Sequence, residues 1–407
     1  MRIAFISWEF PPRTGKGGIG TYVNQVAKAM AGMDWDVHVF AGSYNETGSE
    51  YTEGYYVHLV KCKDGDEFRN AVIESFDLEH SASSFDIIES PEINGNAWEI
   101  KKKYPSIPLV VRLHAPGYLV EHLKKKYIPF FAKLRFVLGS IRRLKFDLGY
   151  WRVYNKNEDA DYRFIRLADY ITAPSNAMKQ WAVENWQIAE NKITVIPNIF
   201  LPPQALLNIP VLKNTVYKRI IFFGRLNVLK GLVNAGIAMR NILKKNPNWK
   251  FRLIGDDGPG PTHKIKMRSW LKLQLKAVIG QVEFIDGIEY EELPGMIAES
   301  EIVLLPSLFE SFSYTCAEAM AAGKVVVGSK IGGMADLLDG GKAGLLIDPY
   351  KPVEIERAID DLISDEPSRI TYSQIARKRI ELLYNSSKTG TELEKYYLSL
   401  LPSHEMK

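Results

Sequence analysis

Two carboxylates with seven residues between them, Glu310 and Glu318, stand in the segment Pro306-Ser307-Leu308-Phe309-Glu310-Ser311-Phe312-Ser313-Tyr314-Thr315-Cys316-Ala317-Glu318-Ala319-Met320-Ala321-Ala322-Gly323. The apolar run Ile302–Leu305 before it reads as a strand, and the Ala-rich run after it reads as a helix. Glu310 then falls in a strand-to-helix loop and Glu318 in the first turns of the helix. The small polar residues between them place free backbone amides at a helix N-terminus, which favours an anion such as phosphate. The carboxylates can accept hydrogen bonds from sugar hydroxyls. The same acids also suit a structural role, since a carboxylate near a helix N-terminus is favourable by itself.

A second constellation is cationic. Phe222-Phe223-Gly224-Arg225-Leu226 is followed by Lys230-Gly231. A strand delivers Gly224, then two cations five residues apart in a loop entering a helix. A diphosphate leaving group needs fixed positive charge, and Arg supplies a planar fork where Lys supplies a point charge. An ordinary solvated pair is the alternative. Near the start, Pro11-Pro12-Arg13-Thr14-Gly15-Lys16-Gly17-Gly18-Ile19-Gly20 links a strand to a helix. Its glycines let a ligand approach the backbone and its amides favour anions, so the loop suits donor phosphates, the acceptor, or a plain turn. The spacing is not the dinucleotide GxGxxG. His114 ends the apolar run that begins at Leu109. At a strand's carboxyl end it could bond a sugar hydroxyl or act near the reacting carbon, or cap backbone carbonyls. Gly255-Asp256-Asp257-Gly258-Pro259-Gly260 and Gly332-Gly333 read as turns. Asp64/Asp66 and Asp159/Asp161 have DxD spacing, but the second pair precedes a strand in a helical stretch and reads as a surface face rather than a Mg²⁺ site.

The elements that must position these residues alternate. Apolar runs are expected as strands at Ile3–Ser7, Val37–Ala41, Asp86–Glu89, Leu109–His114, Tyr170–Ala173 and Ile193–Ile196. A second series runs Arg219–Phe223, Lys250–Ile254, Val282–Ile285, Ile302–Leu305, Val325–Gly328 and Leu345–Ile347. Continuous apolar strands between helices predict parallel sheets covered on both faces. Two series in 407 residues predict two Rossmann-like domains. The boundaries read as a first domain over 1–198, a linker over 199–218 containing Pro202, Pro203 and Pro210, and a second domain over 219–385. A final helical segment is read over 386–407, and by analogy with the two-domain family named below it is expected to cross back to the first domain. Ligands of such sheets sit beyond the strands' carboxyl ends, so two domains are expected to face a central cleft.

Composition narrows the partners. A net charge of +4 argues against a nucleic-acid binder. Two cysteines far apart in sequence suit a reducing, cytoplasmic setting rather than a disulfide framework. The opening run MRIAFISWEF is too short for a signal peptide, and no stretch reaches the roughly 18 apolar residues of a membrane span. One segment is strongly basic. Between His122 and Phe146 stand Lys124, Lys125, Lys126, Lys133, Arg135, Arg142, Arg143 and Lys145, without an acid, interleaved with aromatic and aliphatic residues. It suits an anionic membrane leaflet, a solvated amphipathic helix pair, or a phosphorylated soluble acceptor.

These motifs together resemble glycosyltransferase family 4, the retaining group 1 transferases of GT-B fold. The resemblance rests on the Gly-rich first loop, Phe223-Gly224-Arg225-Leu226 with Lys230-Gly231, Glu310-x7-Glu318 with Ala319-Met320-Ala321-Ala322-Gly323, Gly332-Gly333 and Gly344-Leu345-Leu346. It is tightest over Arg219–Pro349. It implies an enzyme that moves a hexosyl or N-acetylhexosaminyl group from a UDP- or GDP-linked sugar to a hydroxyl acceptor in glycan, polysaccharide or glycolipid synthesis. The resemblance further implies retention of configuration, with no metal and no cofactor. Arg225 and Lys230 would bind the diphosphate, Glu318 the ribose and Glu310 the sugar hydroxyls. Gly224, Phe312, Ser313, Tyr314 and Thr315 would line the donor site. His114, Gly17 and Gly18 would lie across the cleft. Ser311 and Ser313 replace glycines common in the family, and their side chains are expected to narrow the sugar pocket. A nucleotide-sugar-binding protein without activity, or an epimerase or phosphorylase of the same fold, is the competing expectation.

Overall fold

The structure is a computed structural model of the chain. It describes residues 1–15, 17–128, 130–144, 149–151, 154–213, 216–262 and 265–401. Lys16 of the Gly-rich loop, Lys145 and Phe146 of the basic segment, and residues 402–407 of the expected last helix lie outside the described residues. The chain divides into two units. One comprises Met1–Gly117, Asn155–Leu201 and Leu382–Lys407, the other Tyr118–Tyr154 and Pro202–Glu381.

The first unit holds β1 (Arg2–Ser7), β2 (Asp36–Ser43), β3 (Gly48–Thr52), β4 (Tyr55–Lys61), β5 (Ile87–Pro91), β6 (Leu109–Arg112), β7 (Tyr170–Ala173) and β8 (Ile193–Val195). They form one sheet in the order β3-β4-β2-β1-β5-β6-β7-β8. Ile3, Ala4, Phe5 and Ile6 are all buried, as a strand covered on both faces requires. The second unit holds β9 (Arg219–Phe223), β10 (Lys250–Ile254), β11 (Val282–Ile285), β12 (Ile302–Leu305), β13 (Val325–Ser329) and β14 (Leu345–Ile347), in the order β11-β10-β9-β12-β13-β14. Both are Rossmann-like sheets. In each, strand order reverses beside the unit's first strand, between β1 and β5 and between β9 and β12. The connections there leave toward opposite faces, and the loops after those strands flank a crevice.

Two expectations need correction. The first sheet is not wholly parallel, because β3 runs antiparallel to β4 at its edge. Neither strand carries a long apolar run, and β3 is largely exposed. The pair is closed by Glu53 and Gly54, both left-handed (φ 51° and 91°), the geometry of a tight hairpin. The first domain is also not continuous over 1–198, since Tyr118–Tyr154 groups with the second unit. There Asn234 Nδ2 donates to the Tyr127 hydroxyl at 3.0 Å, and the Lys126 ammonium sits 3.6 Å from the centre of the Tyr350 ring.

The final helix, Thr391–Ser399, belongs to the first unit. Its Tyr397 hydroxyl donates to Glu89 Oε2 at 2.6 Å, and Tyr22 donates to Glu89 Oε1 at 2.7 Å. Glu89 lies within β5 and is fully buried, and burial raises its pKa against the opposing pull of Arg112. Arg112 in turn donates from Nη2 to the Ile196 carbonyl (2.7 Å) and to Asn198 Oδ1 (2.6 Å). A buried carboxyl with one donor removed is left undersatisfied. Tyr397→Phe is therefore expected to cost about 1–3 kcal/mol, seen as a lower urea midpoint with an unchanged slope.

Candidate active site

The loops after β9 and β12 are joined at the second unit's strand-order reversal. Leu308 N donates to the Leu229 carbonyl at 2.8 Å. Gly231 is left-handed (φ 70°), and a Cβ there would lie 1.7 Å from the Pro306 carbonyl oxygen. Only glycine lets the two backbones approach so closely. The Asn227 side chain accepts from Lys230 N at 3.2 Å and caps the short turn Val228–Lys230. That turn aims the Lys230 side chain at the β12 loop. Its ammonium lies 2.5 Å from Glu310 Oε1, which also accepts from Ser307 Oγ at 3.0 Å.

Glu310 is held from its backbone as well. Its carbonyl accepts from Gly333 N at 2.6 Å, and a Cβ on Gly332 would lie 2.3 Å from that oxygen. The Gly332-Gly333 turn thus seats Glu310. Arg225 is exposed and has no hydrogen bond or ion pair among the described residues. Its backbone is fixed because Leu226 N donates to the Asp256 carbonyl at 2.8 Å, with Gly255 packed on the Gly224 carbonyl. The loop containing Asp256 and Asp257 is therefore a brace for the Arg225 loop.

Beyond Glu310, Ser313 caps the helix Tyr314–Ala321, accepting from Cys316 N, and its hydroxyl lies 3.0 Å from Thr315 Oγ1. Ser313 was expected to narrow a sugar pocket; its oxygen is instead engaged by the helix N-terminus. Phe312 is buried and meets Tyr314 edge-on at 5.1 Å. Glu318, on the same helix, is buried, and burial pushes its carboxyl up to about 7 despite a 2.9 Å hydrogen bond from the Tyr290 hydroxyl. The sequence reading missed Asn227, Ser307 and Tyr290. The first is legible as a cap three residues before Lys230; Tyr290 sits in a short turn with no periodic signal.

The remaining candidates lie in the first unit. The His114 amide donates to both Glu92 carboxylate oxygens (3.0 and 2.9 Å), and its ring meets Tyr22 at 5.3 Å. His114 is buried beyond the end of β6, and burial holds its imidazole down at about 3. Burial thus favours its neutral form, which suits it to exchanging hydrogen bonds. Its Nε2 has no partner among the described residues, nor has Asn96 Nδ2. Gly17 precedes the helix Gly18–Ala31 with no side chain capping it. A Cβ on Gly17 would lie 2.8 Å from Glu9 Oε2, while one on Gly18 would meet nothing. A phosphate brought to Gly17 would meet that carboxylate, whereas a hydroxyl would find an acceptor. Glu9, Asn96, Ser7, Trp8 and Pro91 line a small recess at the β1/β5 reversal.

Both DxD pairs are helix caps. Asp64 accepts from Glu67 N, and Asp159 accepts from Asp161 N, each at 2.9 Å. Asp161 is not on a surface face as expected. It is buried and accepts from the Gly117 and Asn94 amides.

The raised Glu318 pKa links stability to pH. In the unfolded chain this carboxyl loses its proton at about 4.3, well below its value in the folded protein. Folding is favoured by protonation, so the contribution is complete below the unfolded value and is lost as pH rises through about 7. Glu318→Gln, which keeps a neutral side chain, is expected to gain about 1–3 kcal/mol on the wild type between pH 4.5 and pH 8. Denaturant midpoints of both proteins at the two pH values check this.

Comparison with known proteins agrees with the geometry. The family described as Glycosyltransferase Family 4 matches residues 16–200, and the one described as Glycosyl transferases group 1 matches residues 208–379. An uncharacterised glycosyltransferase of Methanocaldococcus jannaschii is 23% identical across 98% of each chain. Sucrose-phosphate synthase from Thermosynechococcus elongatus superposes with a TM-score of 0.73 at 19% identity, covering 98% of both chains. Anabaena HepE in complex with UDP-glucose superposes at 0.66 and 18% identity, over 98% of this chain and all of that one. With matches running through both Rossmann-like units, the chain belongs to glycosyltransferase family 4 and is a group 1 glycosyltransferase of GT-B fold.

Proposed function

We propose that this glycosyltransferase takes its sugar from a nucleotide-diphosphate sugar and transfers it to a hydroxyl acceptor with retention of configuration and without a metal ion. The observation that carries the reading is the placing of an exposed Arg225, without a hydrogen bond or ion pair among the described residues, beside the Lys230–Glu310 ion pair in adjoining loops. In transfer, the bond from the anomeric carbon to the diphosphate oxygen breaks and a bond to the acceptor oxygen forms. The acceptor's proton passes to the released diphosphate. Charge grows on the leaving oxygen, where Arg225 and Lys230 stabilise it. Lys230 is already neutralised in part by Glu310, so an arriving diphosphate draws on the ammonium while the freed carboxylate faces sugar hydroxyls. Glu318 accepts from the ribose hydroxyls, and the helix N-terminus at Tyr314–Thr315 faces the phosphates. The UDP-glucose bound by Anabaena HepE supports a nucleotide sugar as donor. His114 and the Gly17-Gly18 loop serve the acceptor through hydrogen bonds from the first unit.

Incubation with UDP-, GDP- and ADP-sugars should release a nucleoside diphosphate with at least one of them, in EDTA as in its absence. The NMR spectrum of the product should show the donor's anomeric configuration. Arg225→Ala and Lys230→Ala should each lower kcat about 10²–10³-fold, or about 2.7–4 kcal/mol, with unchanged circular dichroism. Wild-type turnover in either variant, or an inverted product, sinks the reading. Donor binding without turnover would leave a nucleotide-sugar-binding protein.

The acceptor is proposed to be membrane-borne. On the helix Phe130–Arg142, Phe130, Phe131, Leu134, Leu138 and Ile141 are all exposed, Phe131 by 79%, and fall on one helical face. Lys133, Arg135 and Arg142 flank that face in the helical register. An apolar stripe edged with cations suits an anionic bilayer surface. No helix among the described residues is long and apolar enough to cross a membrane. Sedimentation with anionic vesicles should retain the protein at low salt, more weakly as salt rises and more weakly after Lys124, Lys125 and Lys126 are changed to Glu. Failure to sediment at low salt leaves a soluble acceptor.

A further inference from the structure

At the amino ends of β1 and β2, away from the loops that carry the transfer chemistry, the first unit buries an unusual polar cluster. His38 on β2 and His58 on β4 are both almost fully buried, and their rings stack nearly parallel, 5.1 Å apart. His38 Nδ1 faces His58 Nε2 at 2.8 Å. Glu79, on the helix Gly65–Ala82, reaches toward both rings, with carboxylate oxygens 3.8 Å from His38 Nδ1 and from His58 Nδ1. One ligand atom from each of the three residues lies within 4.8 Å of the other two.

The outward nitrogens are spoken for. His38 Nε2 lies 3.1 Å from Asp36 Oδ1, and His58 Nδ1 lies 2.8 Å from Ser49 Oγ. Phe40 and Tyr56 stack on the rings and fix their planes. This is how metal-binding histidines are held, with the second nitrogen on a carboxylate or hydroxyl and the first aimed inward. Arg2 is the one opposing group. Its Nη2 lies 3.0 Å from His38 Nε2 and 3.3 Å from Glu79 Oε2, and its other nitrogens are bound to Asp36 and to the Glu79 and Ser83 carbonyls. Against its single charge stand Asp36 and Glu79, so the cluster is net negative and can accept a dication.

We propose that His38, His58 and Glu79 form a structural site for one divalent transition-metal ion, with zinc the best match to two imidazoles and a carboxylate. Two Zn–N bonds at a tetrahedral angle set the nitrogens about 3.3 Å apart, so the 2.8 Å contact between the rings opens slightly when the ion enters. The proton shared between the inner nitrogens moves to an outward one. His58 then donates from Nδ1 to Ser49 and His38 from Nε2 to Asp36, each ring keeping one proton, and the Arg2 Nη2 donor withdraws from His38 Nε2 onto Glu79 and Asp36. Glu79 is the ligand that remains partly exposed, and the ion enters on its side. The ion ties β2, β4 and the helix Gly65–Ala82 together and takes no part in transfer.

The test uses untagged full-length protein stripped with EDTA and titrated with Co²⁺ as a visible probe, then Zn²⁺. One equivalent of Co²⁺ should produce ligand-field bands that one equivalent of Zn²⁺ abolishes, and Zn²⁺ should raise the melting temperature. His58→Gln should abolish the bands, Glu79→Gln should weaken binding at least tenfold, and Asp36→Asn should weaken it about 10–100-fold. Circular dichroism and glycosyl transfer at 25 °C confirm that each variant is folded. Glu79→Gln keeps the buried histidines intact should His58→Gln fail to fold. Absence of stoichiometric bands in the wild type overturns the site. So does an unchanged titration in folded Glu79→Gln.

Discussion

A parallel sheet whose strand order reverses beside its first strand is the constraint from which the rest follows. Adjacent strands send their connections to opposite faces, so two loops part at one place and leave their backbone amides uncovered. In the second unit those are the loops after β9 and β12. Each function-bearing side chain there is supplied by one of these loops or by the helix that follows it. The close backbone approach at Gly231 sets their separation to within a hydrogen bond, and that at Gly332 seats the turn after β13 against the β12 loop. A larger residue at either position would displace the opposite loop rather than merely crowd it.

Within that frame the charges are arranged unequally. Lys230 and Glu310 neutralise each other, Arg225 is left to solvent, and Glu318 is withdrawn into the protein where its charge is disfavoured. An ion pair that is only partly buried contributes little to stability, because what it gains is offset by desolvation and lost side-chain freedom. Its value is orientation. In the proposed reaction the ammonium and carboxylate are held where a polyanion and a polyol take them over without a large rearrangement, which is the general route by which fixed charges favour a transition state.

The second unit was nearly transparent in the sequence. Most of its strands fall where apolar runs stand between helices, because a strand covered on both faces has no reason to alternate; β10 and β11 carry Arg252 and Glu283 within theirs. Glu310, Lys230 and Arg225 were legible because each sits just past such a run. The first unit was less so at its edge, where β3 is exposed and its place beside the largely buried β4 is set by a tight turn and not by a core. The excursion Tyr118–Tyr154 was opaque for a different reason. Its grouping depends on single contacts such as Tyr127 with Asn234, which leave no periodic trace. The His38–His58 cluster escaped notice because residues twenty apart meet only once β2 and β4 are paired.

The last helix also has a temporal meaning. Glu89 is made early, whereas its partner Tyr397 follows 308 residues later. The intervening Pro202–Glu381 stretch, about 180 residues, takes roughly ten to forty seconds to synthesise. For that interval the nascent first unit carries a carboxyl lacking one of its donors and an uncovered patch around Trp35, whose indole later meets Glu394. The first unit therefore waits on the helix Thr391–Ser399, made after the whole second sheet, to finish its own core.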